Sequence, residues 1–240
     1  MANYFIGTSG WVYRHWKGRF YPPDLPQARW LGHYCRHFTT LELNNSFYRL
    51  PSERAFQNWR ERTPSGFLFS VKVSRLITHL KKLRNVEGAL DNFLSRARLL
   101  GEKLGPLLYQ TPPNLHRDLA LLESFLRLLP RDLRHVFEFR HQSWLEEEVY
   151  ELLGLYGAGF CIYDMPGLTT RVLATAPYAY IRFHGATGLY YSCYSDGELE
   201  QWAQRIRALP ARDVFIYFNN DAEAHAVANA RALLGKLQAS

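Results

Sequence analysis

The sequence predicts a parallel (β/α)8 barrel of the TIM type. Three observations predict it. Short strand-like stretches, β-branched or aromatic and bounded by Gly, Pro, Asn or Asp, recur along the 240 residues. Amphipathic helical patterns separate most of them, the signature of a parallel sheet covered by helices. Counting the strand–helix units gives roughly eight, the number in a TIM barrel, and the chain length suits that fold. A doubly wound open sheet would call for a Gly-rich phosphate loop, and GlyThrSerGly at 7–10 fits neither a GxGxxG nor a Walker pattern. No linker or low-complexity run interrupts the pattern, so residues 1–240 read as one domain.

The strands follow in order. Tyr4–Thr8 is the first and Thr40–Asn44 the second. Phe67–Val73 is the third, and Leu107–Gln110, behind GlyPro, the fourth. His135–Arg140 is the fifth, Phe160–Asp164 the sixth, Tyr178–His184 the seventh and Val214–Asn219 the eighth. Ser52 is placed to cap a helix carrying Phe56 and Trp59, which ThrProSerGly at 63–66 ends. Residues 88–101 carry Leu90, Phe93, Leu94, Ala97 and Leu100 at helical spacing, and 117–129 carry Leu119, Leu122, Phe125, Leu126 and Leu129. Ser143-x-x-Glu146 and Ser195-x-x-Glu198 have capping-box spacing and predict two helix starts. A last, alanine-rich helix starts near Asp221. The segment 165–176, with Pro166 and Gly167 inside it and Pro177 behind it, predicts a reduced, irregular unit between strands six and seven.

Side chains in a strand alternate between two faces. Phe137 and Phe139 therefore share one face of the fifth strand, and Val136, Glu138 and Arg140 the other. The same parity joins Glu42 to Asn44, and Tyr180 to Arg182 and His184. The interior is expected to set Glu42, Glu138 and Asp164 against Lys72, Arg140 and Arg182, with formal charges in balance. Barrel interiors are mostly branched and apolar, and buried charges need partners. So many charges at the carboxyl ends of strands, where TIM barrels build their active sites, point to a ligand site. A network that only plugs the barrel is the plainer alternative.

Composition bounds the function. The formal net charge of +7 favours an anionic partner weakly, since solubility alone accounts for such a value. No apolar run is long enough to span a membrane, no secretory signal opens the chain, and Cys35, Cys161 and Cys193 form neither a disulfide framework nor a zinc pattern. A cytoplasmic location and no membrane partner are expected; no oligomer is assigned.

Several stretches resemble a known family. GlyThrSerGlyTrp (7–11), GluLeuAsnAsnSerPheTyr (42–48), LysValSer…ThrHis (72–79), GluPheArgHisGlnSerTrp (138–144), ArgPheHisGly (182–185) and TyrPheAsnAsnAsp (217–221) are similar, in order, to the YecE-like family, also called domain of unknown function 72. The resemblance implies a TIM-barrel-like fold and no particular reaction. The sequence departs from the family pattern at ThrProPro, 111–113, where LeuProPro is usual, and in the reduced unit after strand six.

The residues themselves suggest an enzyme acting on a small polar or anionic molecule, phosphorylated or sugar-like, by acid–base chemistry. Glu42, Glu138, His184, Lys72 and Asp164 are the expected catalytic groups. Arg182 and Lys72 would hold an anion, and Asn44 and Asn219 would orient hydroxyls. Trp11, Tyr48, His79, Gln110, Arg140, His141 and Asn220 complete the expected binding set. Glu138, Asp164, His184 and His79 are also ligand types for Mn, Mg or Zn; the neighbouring cations already neutralise the carboxylates, so a divalent metal is not the favoured reading and no cofactor is named. The alternative is nucleic-acid binding or processing through the basic, aromatic loops 11–21 and 74–84.

Overall fold

The computed structural model describes residues 2–239. Eight parallel strands run in the order of a barrel: β1 (Asn3–Thr8), β2 (Thr40–Leu43), β3 (Leu68–Lys72), β4 (Leu104–Gln110), β5 (His135–Glu138), β6 (Gly159–Met165), β8 (Tyr178–Phe183) and β9 (Asp213–Phe218), with a two-residue strand β7 (Leu168–Thr169) between the sixth and seventh barrel strands. Every barrel neighbour pairs in parallel, and β9 returns to pair with β1. The circle closes between β1 and β2 through a bridge of Ser9 to Glu42, with the Gly10 amide donating to the Glu42 carbonyl at 2.9 Å.

That seam is short of one rung. In a regular ladder the Thr8 amide would donate to the Thr40 carbonyl. The buried Tyr34 hydroxyl stands between them instead, accepting from Thr8 N at 2.9 Å and donating to Thr40 O at 3.1 Å. Gly7 permits this crowding: a Cβ there would lie 2.3 Å from the Thr40 oxygen. Tyr34 comes from the short helix α1 (Trp30–Tyr34); α2 (Asn45–Tyr48) follows β2 directly.

The outer helices are α3 (Glu53–Glu61), α4 (Glu87–Ala97), α5 (Leu119–Arg127), α6 (Glu147–Leu155), α7 (Asp196–Arg207) and α8 (His225–Gln238). Ser52 caps α3, and Ser195 with Glu198 forms the expected capping box on α7. The other expected box does not form. Gln142–Trp144 is a single 3-10 turn, Ser143 spends its hydroxyl on the Arg117 amide at 2.9 Å, and α6 begins only at Glu147. The reason is Trp144, fully buried, stacked on Phe139 with ring centroids 4.6 Å apart and donating to Leu115 O at 2.7 Å. Seating that ring bends the chain before the helix can start. After β6 the chain forms the β6–β7 hairpin and no helix, the reduced unit that Pro166 and Gly167 predict.

The alternation separates two cores. Phe69, Val71, Phe137, Phe139, Ile162, Ile181, Phe183 and Ile216 pack outward under the helices. Leu108, Val136, Cys161, Tyr178, Tyr180, Phe215 and Tyr217 fill the barrel itself. Above them Tyr217 meets Thr40 Oγ1 at 2.6 Å and accepts from Ser70 Oγ at 3.0 Å, so the filling turns polar toward the carboxyl ends.

Candidate active site

Arg182 is the centre of the next layer. It projects inward from β8 and is 1% exposed. One terminal nitrogen donates to Glu138 Oε2 at 2.6 Å and the other to Glu42 Oε1 at 2.9 Å. Glu42 also accepts from Ser9 Oγ at 2.6 Å and from Tyr180 OH at 2.6 Å. Glu138 accepts from Gln110 Nε2 at 2.8 Å and pairs with Arg140. Burial by itself would raise the Glu138 carboxyl; the fields of Arg140 and Arg182 outweigh it and hold the group well below the usual carboxylate range. For Arg182, burial opposes the charge, and Glu138 and Glu42 more than restore it.

His184, one turn of alternation further on, is fully buried. Its Nε2 lies 3.1 Å from Arg140 Nη2 and its Nδ1 3.2 Å from the Asn219 amide. Arginine only donates, so Nε2 is the acceptor in the contact with Arg140. Burial, reinforced by Arg182, keeps the ring neutral, its pKa well below the ordinary value.

Above this layer opens a cavity of about 520 Å³ at the carboxyl ends of the strands, lined by Tyr13, Asn44, Phe47, Tyr48, Lys72, His79, Gln110, Arg140, Arg182, Tyr190, Asn219 and Asp221. Larger hollows of about 740 and 1130 Å³ lie at the other end, around Leu129 and Pro177 and around Tyr4 and Pro210. That end of a TIM barrel serves stability, so the carboxyl-end cavity is the candidate site. Lys72 ends β3 with Nζ 4.2 Å from the Phe47 ring centroid. Burial, then the Arg182 charge, lowers its pKa to about 8. His79 packs edge-on against the other side of this local cluster, 4.9 Å from Phe47, and burial followed by Lys72 lowers its pKa to about 4. Among the described residues, the buried Asn44 Oδ1 and Arg140 Nε atoms have no hydrogen-bond partner.

Of the groups expected from the sequence, Asn44, Tyr48, Lys72, His79, Gln110, Arg140, Arg182 and Asn219 meet around this cavity. Glu42, Glu138 and His184 lie in the layer beneath it. Asp164 requires a correction. Cys161 and Tyr163 are the inward residues of β6, Tyr163 lying under the Arg140 guanidinium at 5.1 Å, so Asp164 has the outward parity. Its carboxylate accepts from Thr169 in the hairpin instead. His141 also stands apart, stacked on His116 at 3.9 Å with Nδ1 2.8 Å from Ser143 Oγ. Trp11 packs edge-on against Trp59 at 6.0 Å, and Asn220 ties the Ser192 carbonyl to Asn229. In the 11–21 loop, Trp16, Phe20 and Tyr21 are buried and pack the loop.

Other members escape a sequence reading. Ser9 follows from strand parity once the first strand is carried one residue past Thr8, and Tyr163 lies within the expected sixth strand on the face opposite Asp164. Tyr13, Phe47, Tyr190 and Asp221 sit on loops and short turns, where no periodicity marks them. Asp221 faces His15 at 3.2 Å across the rim. Among the described residues no three His, Cys, Asp or Glu side chains stand together as a metal-binding group, and Glu138 and His184 are held by Arg140 while Asp164 points away.

A closed parallel eight-stranded barrel with a polar, cation-lined cavity at its carboxyl ends defines a TIM-type (β/α)8 protein. Within that class the chain belongs to the family described as "Protein of unknown function DUF72", whose model matches residues 5–240. It is 26% identical to UPF0759 protein YunF of Bacillus subtilis, across 96% of this chain and 93% of that one. It is 33% identical to UPF0759 protein YecE of Escherichia coli K12, over 65% of this chain; that match spans only 56% of the relative's length. The crystal structure of a DUF72 family protein from Thermotoga maritima superposes with a TM-score of 0.89 at 30% identity, covering 98% of this chain and 99% of that one. A DUF72 family protein from Enterococcus faecalis shares the fold, with a TM-score of 0.84 at 19% identity over the whole of this chain and 99% of that one.

Proposed function

We propose that this protein is an enzyme whose substrate is a small polar molecule bearing an anionic group, phosphate or carboxylate, bound in the carboxyl-end cavity. One observation carries the reading. Asp164 turns outward and Asp221, at the rim of the cavity, faces His15 at 3.2 Å; within the barrel two carboxylates, Glu42 and Glu138, then stand against three cations, Arg182, Arg140 and Lys72, which leaves one positive charge over. Both carboxylates are engaged in the layer below, while Lys72 and Arg140 border the cavity. An anionic group on the substrate completes the balance.

The roles follow from position. Arg140, anchored from behind by Glu138, binds the anionic group. Asn44, Gln110 and Asn219 face the rest of the molecule and orient hydroxyls. Lys72 and His79 are the proton carriers on the wall, a lysine brought close to neutral pH and an imidazole kept neutral. Glu42 and Glu138 position Arg182 and Arg140 and do not touch substrate.

Calorimetric titration with inorganic phosphate and with glycerol 3-phosphate tests this. Saturable binding should weaken about tenfold or more in Arg140→Gln, the loss of one charge-assisted pair. Equal binding by that variant, or none by the parent protein, would sink the reading.

A second reading draws on the rings at the mouth, where Tyr48 is 73% and Tyr190 41% exposed. They suit stacking on bases, so the polar molecule would be one nucleotide of a single strand. Affinity for an oligonucleotide would then fall steeply with salt; a flat response removes it.

A further inference from the structure

The cavity wall holds one side chain whose surroundings suit a covalent role. Lys72 is the last residue of β3 and its side chain turns inward, at the end of the barrel where TIM barrels carry their chemistry. Both interior carboxylates are already taken by Arg182, Arg140, Ser9, Tyr180 and Gln110. Among the described residues the Lys72 amine therefore has no ion-pair or hydrogen-bond partner, only the Phe47 ring at 4.2 Å. One side of the nitrogen is covered by that ring and the other opens on the cavity.

Resting on the anionic-substrate reading above, we propose that Lys72 is a nucleophilic amine that captures a carbonyl compound as an imine, the same compound carrying the anionic group that Arg140 binds. A lysine set among other cations, with no carboxylate to hold its proton, loses that proton more readily than a surface lysine. The depressed pKa of about 8 agrees with this placement.

The step balances without an oxidant or a reductant. The neutral amine attacks the carbonyl carbon and a C–N bond forms. A proton passes from the new ammonium to the alkoxide oxygen, giving a carbinolamine. The C–O bond then breaks, and the oxygen leaves as water with a second proton. In sum, an ammonium and a carbonyl give an iminium and water. His79, neutral and packed on the same Phe47 ring, is the group placed to relay these protons. The anionic group on the substrate offsets the iminium charge beside Arg140 and Arg182.

Borohydride trapping tests the proposal directly. The protein is incubated with glyoxylate, an aldehyde bearing a carboxylate, and separately with pyridoxal 5′-phosphate, an aldehyde bearing a phosphate. Both are then reduced and the modified peptides mapped. Lys72 should be labelled at least about tenfold faster than the exterior lysines at pH 7, because its neutral fraction is far larger than that of an ordinary lysine titrating near ~10.4. Its labelling rate should level off just above pH 8, while that of the exterior lysines keeps rising. Excess inorganic phosphate should slow labelling at Lys72 alone. Lys72→Arg should lose the adduct, since arginine does not deprotonate to a nucleophilic amine. Absence of preferential labelling at Lys72 with phosphate binding intact overturns the imine and leaves the anion site standing. Absence of phosphate binding by the parent protein overturns the reading beneath it.

Discussion

Single residues decide the electrostatics of this barrel. Arg182 can be buried because two carboxylates share its guanidinium, and those carboxylates can be buried because Ser9, Tyr180, Gln110 and Arg140 fill their remaining lone pairs. Breaking such a network by removing one partner costs about 3–5 kcal/mol. Lys72 is the opposite case, a cation that among the described residues has no carboxylate within ion-pair distance and feels Glu138 and Glu42 only from further off. Its folded pKa of about 8 lies below the ordinary lysine value, so between those two pH values the unfolded chain binds the extra proton. Stability attributable to this group therefore rises with pH across that window, and below pH 8 its burial penalty is present in full. Lys72→Met should accordingly stabilise the protein at pH 7, by about 1–2 kcal/mol, and the gain should fade toward pH ~10. Urea unfolding midpoints at the two pH values check this; a destabilised variant at pH 7 would mean that the ammonium has a partner. The inward set Glu42, Glu138, Lys72, Arg140, Arg182 was legible from alternation alone. Asp164 was not, because the parity of β6 has to be counted from Cys161 and Tyr163, and a cysteine and a tyrosine suit either face of a strand.

At the scale of elements, the weak point is the seam between β1 and β2. There the Tyr34 hydroxyl replaces a direct backbone hydrogen bond, and Gly7 leaves room for it. Tyr34→Phe strands a buried amide and a buried carbonyl at once, and should cost about 1–3 kcal/mol. Hydrogen exchange should show the Thr8 amide losing protection ahead of the amides of β5 and β8. Equal protection at all three would show that the seam closes without the hydroxyl. Nothing in the sequence flags Tyr34, which lies on a five-residue helix with no periodic pattern. The helices α3 and α7, by contrast, start where Ser52 and Ser195 say they do, because a cap is a local interaction within one turn. The spacing at Ser143 fails for the complementary reason: Trp144 is claimed by the Phe139 ring at the end of the preceding strand and by the distant Leu115 carbonyl, and tertiary packing overrides the local signal.

For the whole molecule the buried titratable groups predict an acid-labile barrel. His79, near 4, and His184, well below the ordinary histidine value, stay neutral in the folded state while the unfolded chain takes up protons below ~6.5. Stability is then lost as pH falls from about 6.5 toward 4. Glu138, whose folded pKa is depressed, contributes stability above the ordinary carboxylate value that disappears as pH falls through its folded one. The melting temperature should decline in two stages, and His79→Gln should reduce the first. A flat profile between pH 6.5 and 4.5 would contradict the buried, neutral imidazoles. Among the described residues no helix is long and apolar enough to cross a membrane.

The sequence by itself determined the barrel and the face on which its charges stand, because the period of two in a strand and the capping of a helix are set by covalent geometry and near neighbours. Only the tertiary structure decided which of those charges satisfy one another and which look onto the cavity. That choice depends on strand register and on the depth at which each side chain ends, and residues as far apart as Glu42 and Arg182 settle it together.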